Sequence, residues 1–165
     1  MSLTAVQQIL NEIGARLENI TIANGYDFDI VKVVKRFPFQ ALAFQTEDIP
    51  AIFFFPSGDI RIGAEHRIAI RQITVTIGIY YSSNDSELID LAEQIGSAIH
   101  IAIHRATTAP LMTDNTSSDL GGLVNSMDLN LKLPLVSEEM RPWYGAQFEY
   151  IVEYETVNGD PFTLI

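Results

Sequence analysis

Apolar and polar positions alternate most regularly between Ile68 and Arg105, the stretch that organises the chain. Ile73, Val75, Ile77, Ile79 and Tyr81 are apolar on one parity, while Gln72, Thr74, Thr76 and Gly78 fill the other. This period of two predicts a strand with one side in a core and one side wet or facing a partner. The turn Ser82-Ser83-Asn84-Asp85 follows, with Asn84 as N-cap and Glu87 three residues on, the spacing of a capping box. Beyond it Leu88, Ala92, Ile95, Ile99, Ala102 and Ile103 recur at helical spacing, so the pattern predicts a helix folded over the strand's own sheet.

The same reading extends in both directions. Leu3, Val6, Leu10, Ile13, Leu17 and Ile20 form an apolar stripe that predicts a helix over residues 3–20. Ser2 is its N-cap, and Gln7, Asn11, Glu12, Arg16 and Glu18 lie on its polar side. Asn24-Gly25 stops the helix or turns the chain. Ile30 to Arg36 reads as a strand with Lys32 and Lys35 in water, ended by Pro38. Ala41 to Phe44 fits no single template, and Thr46 to Pro50 reads as a loop. Ala51-Ile52-Phe53-Phe54-Phe55 is a continuous apolar run, expected near the sheet's centre with both faces covered. Pro56-Ser57-Gly58-Asp59 reads as its end, and residues 56–67 as an exposed, charged, hairpin-like connector of the kind that holds partner contacts.

Residues 106–122, rich in Thr, Ser, Asp, Pro and Gly, read as a loop of roughly 17 residues, longer than compact domains normally use, and so as a mobile flap or, the reading favoured, a docking segment. Two amphipathic strands close the chain. In the first, Met127, Leu129, Leu131 and Leu133 share a face. In the second, Tyr144, Ala146, Phe148, Tyr150, Val152 and Tyr154 alternate with Gln147, Glu149, Glu153 and Glu155. Residues 134–142 connect them without a helix, which makes them antiparallel neighbours. A strand from Trp143 to Thr156 spans on the order of 45 Å at ~3.3 Å per residue, so one end is expected to project from the core. The expected fold is α+β, a single mainly antiparallel sheet packed by two principal helices. It forms one domain over 1–165, with the loop at 106–122 and a tail at 157–165.

Composition narrows the function. With 165 residues and 47% hydrophobic content the chain supports a real core. A formal net charge of −11 argues against gripping a phosphate backbone. The absence of cysteine removes thiol nucleophiles, thiolate metal sites and disulfides, and fits cytoplasmic assembly. No signal segment or membrane span is expected, since no stretch approaches the roughly 18 apolar residues a span requires. Residues 106–165 hold nine acidic side chains against Lys132 and Arg141, a net of −7 of the total −11.

Candidate chemistry is sparse. His100 and His104 stand four apart on a helix, a metal-ligand spacing, but Ile101 occupies the place of a general-base glutamate, and His66 lies in the charged connector. They are read as polar-face residues at a helix C-terminus, where the dipole favours positive charge. Paired carboxylates (Asp27 with Asp29, Glu138 with Glu139) and the row Glu149, Glu153, Glu155 read as solvated or interfacial charge, and no nucleotide-cradling or nucleophile-elbow motif is present. No cofactor and no catalysed reaction are expected.

The order helix, strand, short apolar strand, long strand (Ile73-Thr74-Val75-Thr76-Ile77-Gly78-Ile79-Tyr80-Tyr81), helix (Leu88-Ile89-Asp90-Leu91-Ala92-Glu93-Gln94-Ile95) and two closing strands resembles the tail terminator, or tail-completion, family of tailed bacteriophages. The stretch Ala146-Gln147-Phe148-Glu149-Tyr150-Ile151-Val152-Glu153-Tyr154 is part of that likeness. The resemblance implies an α+β subunit of a homo-hexameric ring that sits on the last ring of tail-tube protein. Such a ring ends tube growth and presents a surface to head-completion or neck proteins, with sheath protein as a further partner where the tail contracts. It also implies residence in the virion tail or neck after assembly in the host cytoplasm, DNA passing through the lumen without specific binding, and no membrane. On this reading Asp59, Arg61, Glu65, His66, Arg67 and Arg71, with the 106–122 loop, are expected at the tube or head contacts, and Glu149, Glu153 and Glu155 at the lumen. The alternatives are another head–tail connector or a tail-tube protein, a metal-dependent hydrolase using His66, His100 and His104, or a monomer with a ligand cleft.

Overall fold

Five strands in the order β1-β2-β3-β5-β4 form one sheet, antiparallel except where β1 runs parallel to β2. The elements are α1 (Ala5–Glu18), β1 (Lys32–Lys35), β2 (Ala51–Glu65), β3 (Ile68–Tyr81), α2 (Leu88–His104), β4 (Ser126–Leu135) and β5 (Tyr144–Val157). The computed structural model describes residues 3–35, 46–81, 88–104, 119–135 and 144–165. The Asn84–Glu87 capping box, Ala41 to Phe44, residues 106–118 and most of the 134–142 connection lie outside them. The fold is α+β, as the periodicities predict.

Both helices pack on one face of the sheet. Ile9, Ile13 and Leu17 of α1 and Ile95, Ile99 and Ile103 of α2 meet Ile73, Val75, Ile77 and Ile79 of β3 and Phe148, Tyr150, Val152 and Tyr154 of β5 in one core. Close approach is secured by two helical glycines. A Cβ at Gly14 would stand 3.0 Å from the Phe54 ring, and one at Gly96 would stand 2.8 Å from that of Phe148.

The cap of α1 corrects the sequence reading. Thr4, not Ser2, is the N-cap: its hydroxyl accepts from the Gln7 amide (3.2 Å), while Gln7 Oε1 accepts from the Thr4 amide (2.9 Å). This reciprocal pair satisfies two orphan donors of the first turn. Arg16 also departs from expectation, lying 3% exposed between the helices instead of on a wet side. Asn24-Gly25 does not stop α1, which ends at Glu18 with Asn19 as its cap, but turns the chain, with Gly25 at φ 87° ending a separate 3-10 turn.

The largest correction concerns residues 56–67. Instead of a connector they continue β2, which pairs with β3 from Ala51↔Tyr80 to Glu65↔Ile68 and turns at His66 and Arg67. The local stop signals are real but have another use. Among the described residues β1 covers Ala51 to Phe54 of β2, so no described strand lies outside Pro56 and its missing N–H breaks no described outer ladder. Gly58 at φ 74° and a second register shift at Arg61/Gly63 are bulges that bend the hairpin. The apolar run is covered on both faces as read, but it lies one strand from the border, beside β1, and the sheet's centre is β3. Ile52 and Phe54 enter the main core, while Ala51 and Phe53 bury on the opposite face against Val34, Phe55 and Tyr80.

β4 holds a second surprise. A register shift between Leu129 and Leu131 switches its parity: Met127, fully buried, and Leu129, 41% exposed, keep the helix-side parity, while Leu131, 40% exposed, passes to the other face. The four residues read as one apolar face are therefore divided by a bulge. After the bulge Lys132 turns to the helix face, where it lies over the Phe148 ring and pairs with Glu93 of α2.

The far end of β5 is paired to its last residue, Val157↔Ile68, so what extends past β1 and β4 is the β2–β3 hairpin together with β5. The tail does not project. It turns at Gly159 (φ 86°) and runs back beside β5, with Thr156↔Leu164 as a bridge and the Ile165 amide donating to the Glu155 carbonyl.

Candidate functional site

The alternation of β5 and the pairing around it gather acidic side chains on the sheet face turned away from the helices. Glu149 lies across from Thr76 and Leu131, Glu153 across from Gln72 and Ser126, and Glu155 across from Ile70. Asp128, opposite Ile151, belongs to the same face. Across-strand partners share a face, and two-residue steps along a strand repeat it about every 6.6 Å. Asn125 Nδ2 donates to Glu155 Oε1 (2.9 Å), and Gln147 Nε2 approaches Glu149 Oε1 at 3.5 Å. On β3, β4 and β5 the described residues of this face include no lysine or arginine, because Arg71 and Lys132 belong to the helix-side parity. The three glutamates expected to act together are thus brought together.

The six candidate interface residues of the hairpin are divided. Asp59 and Arg71 form a two-pronged ion pair, Arg71 Nε donating to Oδ1 and Nη2 standing by Oδ2, each at 3.0 Å. The Tyr154 hydroxyl donates to the same Oδ1 at 3.1 Å. Burial, and then the Asp59 charge, push the Tyr154 phenol up to about 12, and the Asp59 hydrogen bond raises the Arg71 guanidinium above its ordinary value. With Arg61 they line a groove of about 380 Å³, closed on the other side by the start of α1 and by Asn158 to Pro161. Asp59 and Arg71 are therefore tied into the fold. Arg61 is exposed and its Nε donates to the Gly63 carbonyl (3.3 Å), while Glu65, His66 and Arg67 stand at the hairpin tip. There the Arg67 carbonyl accepts from the Asn158 amide at 2.6 Å, tying the tip to the tail. Sequence reasoning placed Tyr154 only in the core, since its partner Asp59 is 95 residues away in the chain. Of the proposed docking loop, the described part is a turn at Asp119, whose carbonyl accepts from the Gly122 and Val124 amides.

The histidines do not converge. His100 and His104 stack edge to face with ring centroids 4.3 Å apart, and His100 lies 6.5 Å from the Tyr150 ring. His66 is on another element, roughly 30 Å along β3 from the level of Tyr150 at ~3.3 Å per residue. Among the described residues no group of three or more His, Cys, Asp or Glu side chains is placed to hold a metal ion. Tyr150 itself is buried, its phenol raised by burial, and among the described residues its hydroxyl has no hydrogen-bond partner.

At the end of α2, burial outweighs the pull of the helix C-terminus on His104. Burial and then the neighbouring His100 lower its pKa from 6.5, with Arg16 adding to this and Asp128 opposing it. A base whose folded pKa lies below its unfolded one contributes stability that is present above 6.5 and lost as pH falls beneath it, because the unfolded chain takes up the proton first. His104→Gln should therefore flatten the fall in stability on acidification, read as urea midpoints compared between about pH 7 and about pH 5.5.

No helix among the described residues is long and apolar enough to cross a membrane. No protein-family model matches the chain, and no curated protein matches it.

Proposed function

We propose that the chain is a structural virion protein: a subunit of the ring that caps a phage tail tube, ends its growth and forms the surface for joining to the head. The observation that carries this reading is the two-sidedness of the sheet. Both helices cover one face, while the other gathers Asp128, Glu149, Glu153 and Glu155 with no cation from β3, β4 or β5. Set around a ring with the helices outward, that face makes an acidic wall past which a polyanion moves without sticking, because like charge repels phosphate and leaves no counterions to release. Function then consists of binding alone, with apolar and backbone contacts between copies supplying the free energy. The exposed hairpin tip, Glu65, His66 and Arg67, together with Arg61, is assigned to the contact with tube or neck proteins. The test is the morphology of phage particles assembled without this chain.

A further inference from the structure

The sheet ends in two unequal edges, and we infer that they are made for each other: β2 of one copy receives β4 of the next. Beyond Phe55, residues 56–65 of β2 have β3 on one side and, among the described residues, no strand on the other. β4, 10 residues long, is the opposite border of the sheet. An unpaired strand border is a row of backbone donors and acceptors ready to pair with another chain. A second copy of this chain fits it for three reasons.

The first is direction. β2 is antiparallel to β3, β3 to β5 and β5 to β4, so β4 runs opposite to β2. A copy moved sideways along the sheet without being turned over brings its β4 against β2 in the antiparallel sense. Every such junction uses unlike surfaces, which is the head-to-tail arrangement that closes into rings. The second is length, since residues 56–65 number the same as the 10 residues of β4.

The third is what the overlap from Asp59 to Glu65 juxtaposes. Setting Ser126 against Glu65 and Lys132 against Asp59 places Ile62 opposite Leu129 and Ile60 opposite Leu131. These four side chains are 45%, 41%, 57% and 40% exposed in the single chain. Ile60 and Leu131 lie on the same face, the one away from the helices, by their partners Gln72 and Glu149. The same register brings Lys132, paired with Glu93, level with Asp59, paired with Arg71, on the helix face, so the aliphatic pairs are its main contribution. Within one copy Ser126 is level with Ile60, so each junction advances by roughly five residues, the stagger that tilts strands in a closed sheet. The inference rests on the ring reading for closure alone.

The native chain has no cysteine, which makes the test clean. Within one copy β2 and β4 are three strand spacings apart, about 14 Å, beyond the reach of a disulfide, so any bond between them joins two copies. The double variants Ile60→Cys with Leu131→Cys, and Ile62→Cys with Leu129→Cys, are oxidised mildly and run without reductant. The expected result is a ladder of covalent multimers ending at the ring number, with loss of every species above dimer in each single-cysteine variant. Circular dichroism before oxidation shows that the variants are folded. Absence of the ladder from folded double variants, or single variants that dimerise as efficiently as the doubles link, overturns the junction. Annuli in micrographs without a ladder would sink this junction and leave the ring reading standing. A ladder that runs on into open filaments would keep the junction and contradict the closed ring.

Discussion

Replacing Arg16 with alanine is expected to lower the stability of the folded chain by about 3 kcal/mol, within the range for breaking a buried charged network. Its guanidinium is 3% exposed and spans three elements. Nε donates to Glu12 Oε1 at 2.8 Å, Nη1 donates to the Ile103 carbonyl at 2.5 Å, and Nη2 lies against the 119–122 turn, 3.5 Å from where a Cβ on Gly121 would stand. Ile103 belongs to the last turn of α2, whose carbonyls have no partners within the helix. The cation therefore caps one helix while standing on another. Truncation leaves a buried carbonyl without its donor and a cavity where the side chain lay. Glu12 is 27% exposed and regains water, so the loss falls short of that for a wholly buried pair. At this chain length the melting temperature should drop by about 6–12 °C. Arg16→Lys should recover only part of it, because an ammonium cannot form the same planar fork. A melting temperature unchanged in Arg16→Ala would show that the helix contact holds without the cation.

Gly78→Val should cost about as much, about 3 kcal/mol, by overpacking. The Phe53 ring lies directly across the β2–β3 pairing from Gly78. A Cβ there would stand 1.9 Å from the end of that ring, far inside contact distance. The ring has little room to yield: Phe53 is 5% exposed and stacks with Phe55 at 6.3 Å and Tyr80 at 5.3 Å between centroids. Phe53→Leu in the same chain should return part of the loss, giving a coupling of about 1 kcal/mol or more in a double-mutant cycle by denaturant unfolding. Simple additivity would mean that ring and glycine do not share the space.

These two residues mark where the sequence is readable and where it is not. The parity of β3 and β5 shows in the alternation of isoleucine, valine and aromatic residues, and with it the row Glu149, Glu153, Glu155, because a strand's faces are set by counting in twos. Pro56-Ser57-Gly58 misled because the same residues that end a strand also serve a bulged one, and only the pairing with β3, continuous to Glu65, distinguishes the cases. The bulge beside Asn130 moved Leu131 from an inner to an outer face, with no local signal to announce the extra residue. Arg16 on a helix reads as solvated until the second helix supplies Ile103 to receive it. The Asp59, Arg71 and Tyr154 contact depends on a hairpin register and a third strand, neither of which shows in residue spacing. Thr4-x-x-Gln7 has the spacing of a capping box, but Leu3 belongs to the apolar stripe, and starting the helix there made Ser2 the cap.

The central claim is that this chain acts through shape and charge at the end of a tube. Electron microscopy of tail length and head attachment, in particles made with and without the chain, tests it most directly. The account predicts that without the chain tubes grow past their normal length and remain unjoined to capsids, and that supplying it restores both. Tails of normal length joined to filled heads in its absence would contradict it.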